Sequence, residues 1–600
     1  MPRTLRLAAA VLIAGLCWGG VPSQAPAPRP ASPGTRAWQR LLEKYWEECL
    51  VRDPIKATAI GDERYNDRLP DTLSARARAE EKAWLQKWLH TVDKLDRSRL
   101  GGQDRLSYDI LRRSLREDLE GLRFPSHLTP VNQIGSVPMF FAQLGGGRSI
   151  QPFATVKDYE RFLRRSEGFI AWMDQAIQNM REGMAKGVVQ PKVVMGKVLP
   201  QLDAMLVEDP AKSVFWSPVA AFPKAIGTAD RERLAAAYRT AIATRIVPAY
   251  RRLRDFIRDV YLPACRDSVG LSALPDGQAW YAHLVEEMTT TKLDPAAIHE
   301  LGLKEVARIL EEMDAVRRQV GFQGDLQAFF QELNNNPRFY HTSEADLLQG
   351  YRDLQVKVNG LLPRLFDVFP KTDYEVRPVE AFLAEAAAGG SYQNGTPDGH
   401  RPGIFYVNTF NLKAQPIFGM ETLLLHEASP GHHFQISIAQ EITGLPGFRR
   451  FGGYNAYAEG WALYAESLGK ELGLFTDPYQ YYGRLSDEQL RAMRLVVDTG
   501  LHSKGWSREQ ALRYMQEHSS MAESDIVAEV ERYIVWPGQA LGYKLGQFAI
   551  RDLRTEAERE LGPRFSIKAF HRQVLVDGAL PLDVLKTKIR AWIAQEKVKP

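Results

Sequence analysis

Between about residue 36 and residue 380, apolar positions recur at three- and four-residue spacing between charges, the signature of amphipathic helices. Residues 104–123 and 156–186 carry the pattern, with Phe162, Phe169, Ile170 and Met173 on one stripe, and long helices are predicted again over 229–260, 295–320 and 344–362. Proline-bearing connections over 124–152 and 265–276 separate them. No fixed-period repeat stands out, which argues against a helical solenoid. No flexible internal linker interrupts the chain, so the expectation is a mainly α protein with a single helical domain over residues 36–600. Its economical form is one large helical body, in one or two lobes, around a deep cleft. Glycines and a Pro-Asp-Gly over 389–395 and 397–399 break the helical rhythm, and Gly403 to Asn408 then reads as a short strand rich in aromatic and β-branched residues. Residues 551–564 read as a solvated helix face, and 570–592 as a packed terminal helix pair.

Chemistry concentrates just after that strand. Three of the twelve histidines lie in His426-Glu427-Ala428-Ser429-Pro430-Gly431-His432-His433. A zinc hydrolase needs two neutral imidazoles on one metal, a third protein ligand, an open position for water and a carboxylate beside that water. His426 and Glu427 supply the first imidazole and the carboxylate. In the usual H-E-x-x-H pattern the second histidine lies one turn on, but Pro430 holds that place. Proline cannot donate the helical hydrogen bond, so Pro430-Gly431 predicts a bulge or short break carrying two extra residues. His432 can then return to the second ligand's position. His433 is the rival: seven residues make almost two turns and restore the facing direction, but in a regular helix they add roughly 10 Å of rise, too far for two imidazoles to share an ion unless the break shortens it.

The stretch from Tyr457 to Glu466 supplies two carboxylates on a second helical segment. Glu459, between Ala458 and Gly460 and beside Trp461, reads as part of a packed face and is the expected third ligand. Glu466 either supports a ligand from behind or carries a charge on the helix surface.

The His-Glu-x-x-Pro-Gly-His-His segment resembles a widespread bacterial family labelled domain of unknown function 885. So do Glu-Gly-Trp-Ala-Leu-Tyr at 459–464, Val497 to His502 and Pro537 to Lys544; the likeness runs from about Trp38 to Trp592. Through short motifs only, the family resembles the helical zinc metallopeptidases with a glutamate third ligand, which include angiotensin-converting enzyme and the oligopeptidases. There the glutamate follows the histidine pair by a few dozen residues, as Glu459 follows His432. Arg532-Tyr533-Ile534-Val535 is similar to a segment of angiotensin-converting enzyme whose tyrosine supports the oxyanion, which implies a catalytic role for Tyr533. The resemblance implies one zinc ion per chain and hydrolysis of short peptides, with Glu427 taking the proton of the metal's water. It also implies a strand edge near the metal that pairs with substrate backbone. Tyr543 and His502 join Tyr533 as candidate oxyanion donors and substrate-binding groups. The competing expectation is a non-catalytic helical protein of the cell envelope that keeps a metal or ligand for binding or stability.

The remaining features bound the setting. Arg3 and Arg6 precede an apolar run from Leu7 to Leu16, too short for a membrane span and placed where a secretory signal belongs. Residues 1–25 are read as a signal peptide cut after Ala25, and 26–35 as a proline-rich disordered leader, so the protein is expected in the periplasm or outside the cell. Lipid anchoring at Cys17 is disfavoured, because Leu16 precedes it where a small residue is expected. Cys49 and Cys265 suffice for one disulfide but are too few for a cysteine-based metal site. No later stretch spans a membrane, and a net charge of +4 over 600 residues does not point to nucleic acid.

Overall fold

The computed structural model describes residues 33–147, 149–379, 388–395 and 402–599. The expected signal peptide, Cys17, most of the leader and residues 397–399 lie outside the described residues. Residues 33–35 of the leader belong to the first helix, Pro33–Arg52. Helix makes up 71% of the structure and strand 3%, so the protein is mainly α with one small sheet.

The helices predicted from periodicity are present, with ends set by local chemistry. Val156–Lys186 opens with a capping box between Thr155 and Asp158 and closes at Gly187 in the left-handed region. Pro295–Gln319 and Glu344–Leu361 start on the capping side chains of Asp294 and Ser343. The helix expected over 229–260 is continuous but not uniform. Thr228–Ala241 and Val247–Phe256 alternate with wide five-residue turns at Ile242–Ile246 and Ile257–Tyr261. Each wide turn comes just before a proline, Pro248 or Pro263, whose missing N–H breaks the ordinary helical bonding at that point. The connection expected over 124–152 contains a helix of its own, Val137–Gly145, with Pro138, Phe141 and Leu144 buried. The stretch 551–564 is the end of Leu541–Leu561 and a following turn, and Leu553, Ala557 and Leu561 bury one of its faces. The closing pair is Ile567–Leu575 and Leu582–Lys597.

Three strands form the sheet: β1 (Tyr374–Pro378), β2 (Gly390–Gln393) and β3 (Gly403–Val407), in the order β1-β3-β2. β1 runs parallel to β3 and β2 antiparallel to it. Two sequence expectations change here. The glycine-bearing segment read as a break is itself strand β2. β3 is the middle strand with both edges paired, so it cannot offer an edge to a substrate; among the described residues β1 and β2 are the outer strands.

Two large hydrophobic cores meet along one helix, Pro478–His502. One core gathers Phe162, Phe169, Tyr250, Met493 and Val497. The other joins the sheet to the C-terminal helices through Phe405, Leu424, Trp461, Ile550 and Trp592. From Ala492 to His502 every residue of the shared helix is buried, so it has no solvent face there. Among the described residues, no helix is long and apolar enough to cross a membrane. Among the described residues no disulfide joins Cys49 to Cys265.

One contact fixes the helix that bears Glu459. Asn455–Ser467 lies against Leu541–Leu561 with its backbone in direct contact: a Cβ on Gly460 would stand 2.4 Å from the Gly546 Cα, and one on Gly546 would stand 1.9 Å from the Ala456 carbonyl oxygen. Only glycines allow this approach. Gly546→Ala is therefore expected to lower stability by about 1–3 kcal/mol or more, the usual range for overpacking. Gly196→Ala, in a helix with nothing within 4 Å of the added methyl, is the control and should be neutral or stabilising in thermal unfolding.

Candidate metal centre

The histidine segment is two helices. Met420–Glu427 ends at Ala428 (φ −105°, ψ −113°), the chain passes through a cis Ser429–Pro430 bond, and His432–Glu441 begins a new helix. The expected bulge is thus a complete break. Gly431 lies on the end of the first helix so closely that a Cβ there would be 1.9 Å from the His426 carbonyl oxygen and 2.4 Å from that of Leu425. The fold-back brings the His426 and His432 rings to 4.8 Å between centroids at 90°.

Glu459 meets this pair from the glycine-packed helix. Its Oε2 lies 3.6 Å from His426 Nε2 and 3.3 Å from His432 Nε2, and the three donor atoms all fall within 4.8 Å of one another. A tetrahedral zinc site with bonds of about 2.0–2.1 Å has donor–donor edges of about 3.3 Å, so two of the three edges are already near that length. Glu459 Oε2 and His432 Nδ1 are buried without hydrogen-bond partners. A buried carboxylate oxygen left in that condition between two imidazoles fits a cation at the centre. Two imidazole nitrogens and one carboxylate oxygen suit zinc and leave a coordination position open for water.

The surroundings hold these groups in place. The Trp461 indole N–H donates to the Pro430 carbonyl at 2.7 Å, which ties the Glu459 helix to the break. Glu466, fully buried, has Oε1 2.6 Å from His426 Nδ1, so it supports a candidate ligand from behind and is not a surface charge. That bond orients the ring so that Nε2 faces Glu459. In the metal-free protein, burial pushes the His426 imidazole down, but the nearby carboxylates of Glu459 and Glu466 outweigh it and raise the pKa to about 10. Glu459 is held well below the usual carboxylate range: burial opposes its charge, and His432 and His426 overcome that cost. Glu427, half-buried, lies next to His426 in sequence, and its charge acts on His426 and on the buried Tyr351. Nothing in the sequence pattern singled out Tyr351, which arrives from the distant helix Glu344–Leu361.

His433 turns away from this centre. Its Nδ1 is 2.9 Å from the Tyr392 hydroxyl of β2, it has a backbone hydrogen bond with Thr372, and burial lowers its pKa to about 3. His502 is a correction to the sequence reading. It is fully buried, Nδ1 accepts the Leu271 N–H at 3.1 Å, and Nε2 donates to the Tyr533 carbonyl at 2.9 Å. Both ring nitrogens are committed to backbone, so none is left for substrate. Tyr533 donates its hydroxyl proton to Glu529 and accepts from Arg494 Nε at 3.2 Å. Tyr543 stands differently: Arg494 lies over its ring at 4.3 Å, and the Glu459 charge acts on its hydroxyl. A separate cavity of about 690 Å³, lined among others by Lys192, Asp267, Trp506 and Arg508, shares no residue with the histidine–glutamate cluster.

Fold and site together define a mainly helical protein with a candidate mononuclear metal centre set against the core that holds Leu425, Ala428 and Trp461. The chain belongs to the family described as bacterial protein of unknown function (DUF885), matched over residues 54–589. It is similar to the crystal structure of a candidate lipoprotein from Colwellia psychrerythraea, at 30% identity and TM-score 0.87, covering 94% of this chain and 100% of that one. A candidate lipoprotein of unknown function from Shewanella oneidensis shares the fold at 17% identity and TM-score 0.74, covering 92% and 99%. No curated protein matches the chain in sequence.

Two outcomes follow for zinc binding measured by calorimetry. Glu466→Gln should weaken it about 10- to 100-fold, the usual effect of losing the partner behind a metal-bound histidine, whereas His433→Gln should leave it within a few-fold. Zinc and a proton also compete for His426. A raised pKa stabilises the metal-free fold fully below the unfolded value of 6.5, and that contribution is lost as pH rises towards about 10. Zinc affinity, and with it the rise in Tm on adding zinc, should therefore increase between pH 6 and pH 9.

Proposed function

We propose that the protein is an exported zinc-dependent peptidase that hydrolyses short peptides. The observation that carries this reading is the convergence of His426, His432 and Glu459, with Glu427 next to His426 in the chain and its charge acting on that ring. A structural zinc site has no need of such a carboxylate next to an open position. When bound, zinc would polarise a peptide carbonyl and lower the pKa of its water towards neutrality. Glu427 takes the water's proton and passes it to the leaving amine. Glu466 keeps His426 oriented throughout. Tyr543 is the better-placed donor for the developing oxyanion, because the Tyr533 hydroxyl already donates its hydrogen bond to Glu529; removing one such donor typically costs about a hundredfold to a thousandfold in rate.

A second reading is a non-catalytic metal- or ligand-binding protein of the cell envelope, favoured by the two similar structures described as candidate lipoproteins. Those descriptions also bring back anchoring at Cys17 beside soluble export after Ala25. The mass of the mature protein separates the two, and an unmodified chain starting at Pro26 is the expected result.

The decisive comparison is wild type against Glu427→Gln on a broad library of short peptides. Both should hold one zinc per chain, and the variant should lose hydrolysis by a thousandfold or so, within the span of a general base and its water. Equal inactivity of the two would remove the enzyme reading.

A further inference from the structure

Near the candidate metal centre, two guanidinium groups share one hydrogen-bonded carboxylate. Arg494, on the helix shared by the two cores, is 5% exposed. Its Nε and Nη2 reach Glu529 Oε2 at 3.2 and 3.0 Å, and Arg532 Nη2 reaches the same oxygen at 3.1 Å. The Tyr533 hydroxyl donates to that oxygen as well. One carboxylate therefore serves two guanidinium groups and a phenol. Arg494 Nη1 and Arg532 Nε remain buried without hydrogen-bond partners. A buried guanidinium N–H without an acceptor is costly, and a bound anion would supply one.

The cluster faces the metal side of the protein. The Arg494 guanidinium lies over the Tyr543 ring at 4.3 Å. Tyr543 follows Gly542, which abuts Asn455, and precedes by one turn Gly546, which abuts Gly460; those two contacts bracket Glu459 along its helix. Glu459 and the three guanidinium groups of Arg494, Arg532 and Arg491 all act on the Tyr543 hydroxyl, which places them in one electrostatic neighbourhood. Arg491, one turn before Arg494, serves a different end: it pairs with Asp487 at 2.5 Å, and its charge acts on Glu466.

We propose that Arg494, with Arg532 beside it, receives the free α-carboxylate of a peptide substrate. Resting on the hydrolytic reading above, this makes the enzyme one that acts near the carboxyl terminus of its substrates. A carboxylate supplies acceptors for the unsatisfied N–H groups and a further negative charge beside two guanidinium groups, and arginine presents its donors in a fork that matches it. A neutral terminal amide supplies no charge and brings N–H groups of its own. Peptides that differ only at that terminus should therefore be separated.

The test uses zinc-loaded full-length protein and matched peptide pairs, one member ending in a free acid and the other in an amide. Wild type should favour the acid in kcat/KM by on the order of tenfold to a hundredfold, the scale of a hydrogen bond to a charged group. Arg494→Gln should collapse that ratio towards one, and Arg494→Lys, which keeps the charge but not the fork, should fall between. Dissociation constants for the same pairs on the Glu427→Gln protein give the ratio without turnover. If wild type cleaves nothing, yet acids still bind this protein more tightly than amides, the hydrolytic reading fails while the carboxylate site stands. Acid-to-amide ratios near one in both cleavage and binding would overturn the site, whether or not the Arg494 variants fold.

Discussion

Two imidazoles and a carboxylate must each place a donor atom about 2.0–2.2 Å from one ion, and a regular helix would not deliver His426 and His432 to that meeting. The constraint is met by a single close approach of backbone to backbone, Gly431 against the carbonyl end of the helix that carries His426. No side chain fits there, so the residue is glycine and the second helix starts at once with His432. The third donor arrives by the same means. Glu459 is held by a helix whose Gly460 touches Gly546, and Trp461 on that helix reaches across to the carbonyl of Pro430. Two backbone contacts closer than side chains allow, Gly431 on the His426 helix and Gly460 on Gly546, thus hold the centre.

Charge is managed around that centre in layers. Glu466 and Glu459 hold His426, Arg491 lies between Glu466 and Asp487, and Glu529 serves Arg494 and Arg532. Most of the cations involved lie on Pro478–His502, the helix shared by both cores, where packing fixes side chains and low solvent access strengthens their interactions. Preorganised dipoles and charges in a water-poor setting are what hydrolytic chemistry requires. The same burial commits other groups to structure: His502 joins Leu271 to the Tyr533 backbone, and Asp498 accepts from Tyr281 at 2.5 Å and from the Gly538 N–H.

The long helices were legible because periodicity reports burial directly, and 156–186 matches to the residue. The strand Gly403–Val407 was legible for its β-branched and aromatic run, but β1 and β2 were not: Tyr374–Pro378 ends in proline, and Gly390–Gln393 begins with a glycine that packs on Leu423. A short strand depends on its partners, which lie elsewhere in the chain. His426, His432 and Glu459 could be read as a set because metal chemistry restricts residue type and spacing. His502 could not be placed, because an aromatic polar residue beside a motif looks the same whether its nitrogens face a cleft or a backbone carbonyl. Tyr351 and Arg494 carried no local signal either, since both reach the neighbourhood of the centre through tertiary packing.

The central claim is that the broken helix and Glu459 form one metal site. Anomalous diffraction at the zinc edge from crystals of the zinc-loaded protein measures it directly. A single peak is expected about 2.0–2.2 Å from His426 Nε2, His432 Nε2 and a carboxylate oxygen of Glu459. A peak coordinated by His433 instead of His432, or zinc bound only elsewhere on the chain, would contradict the account.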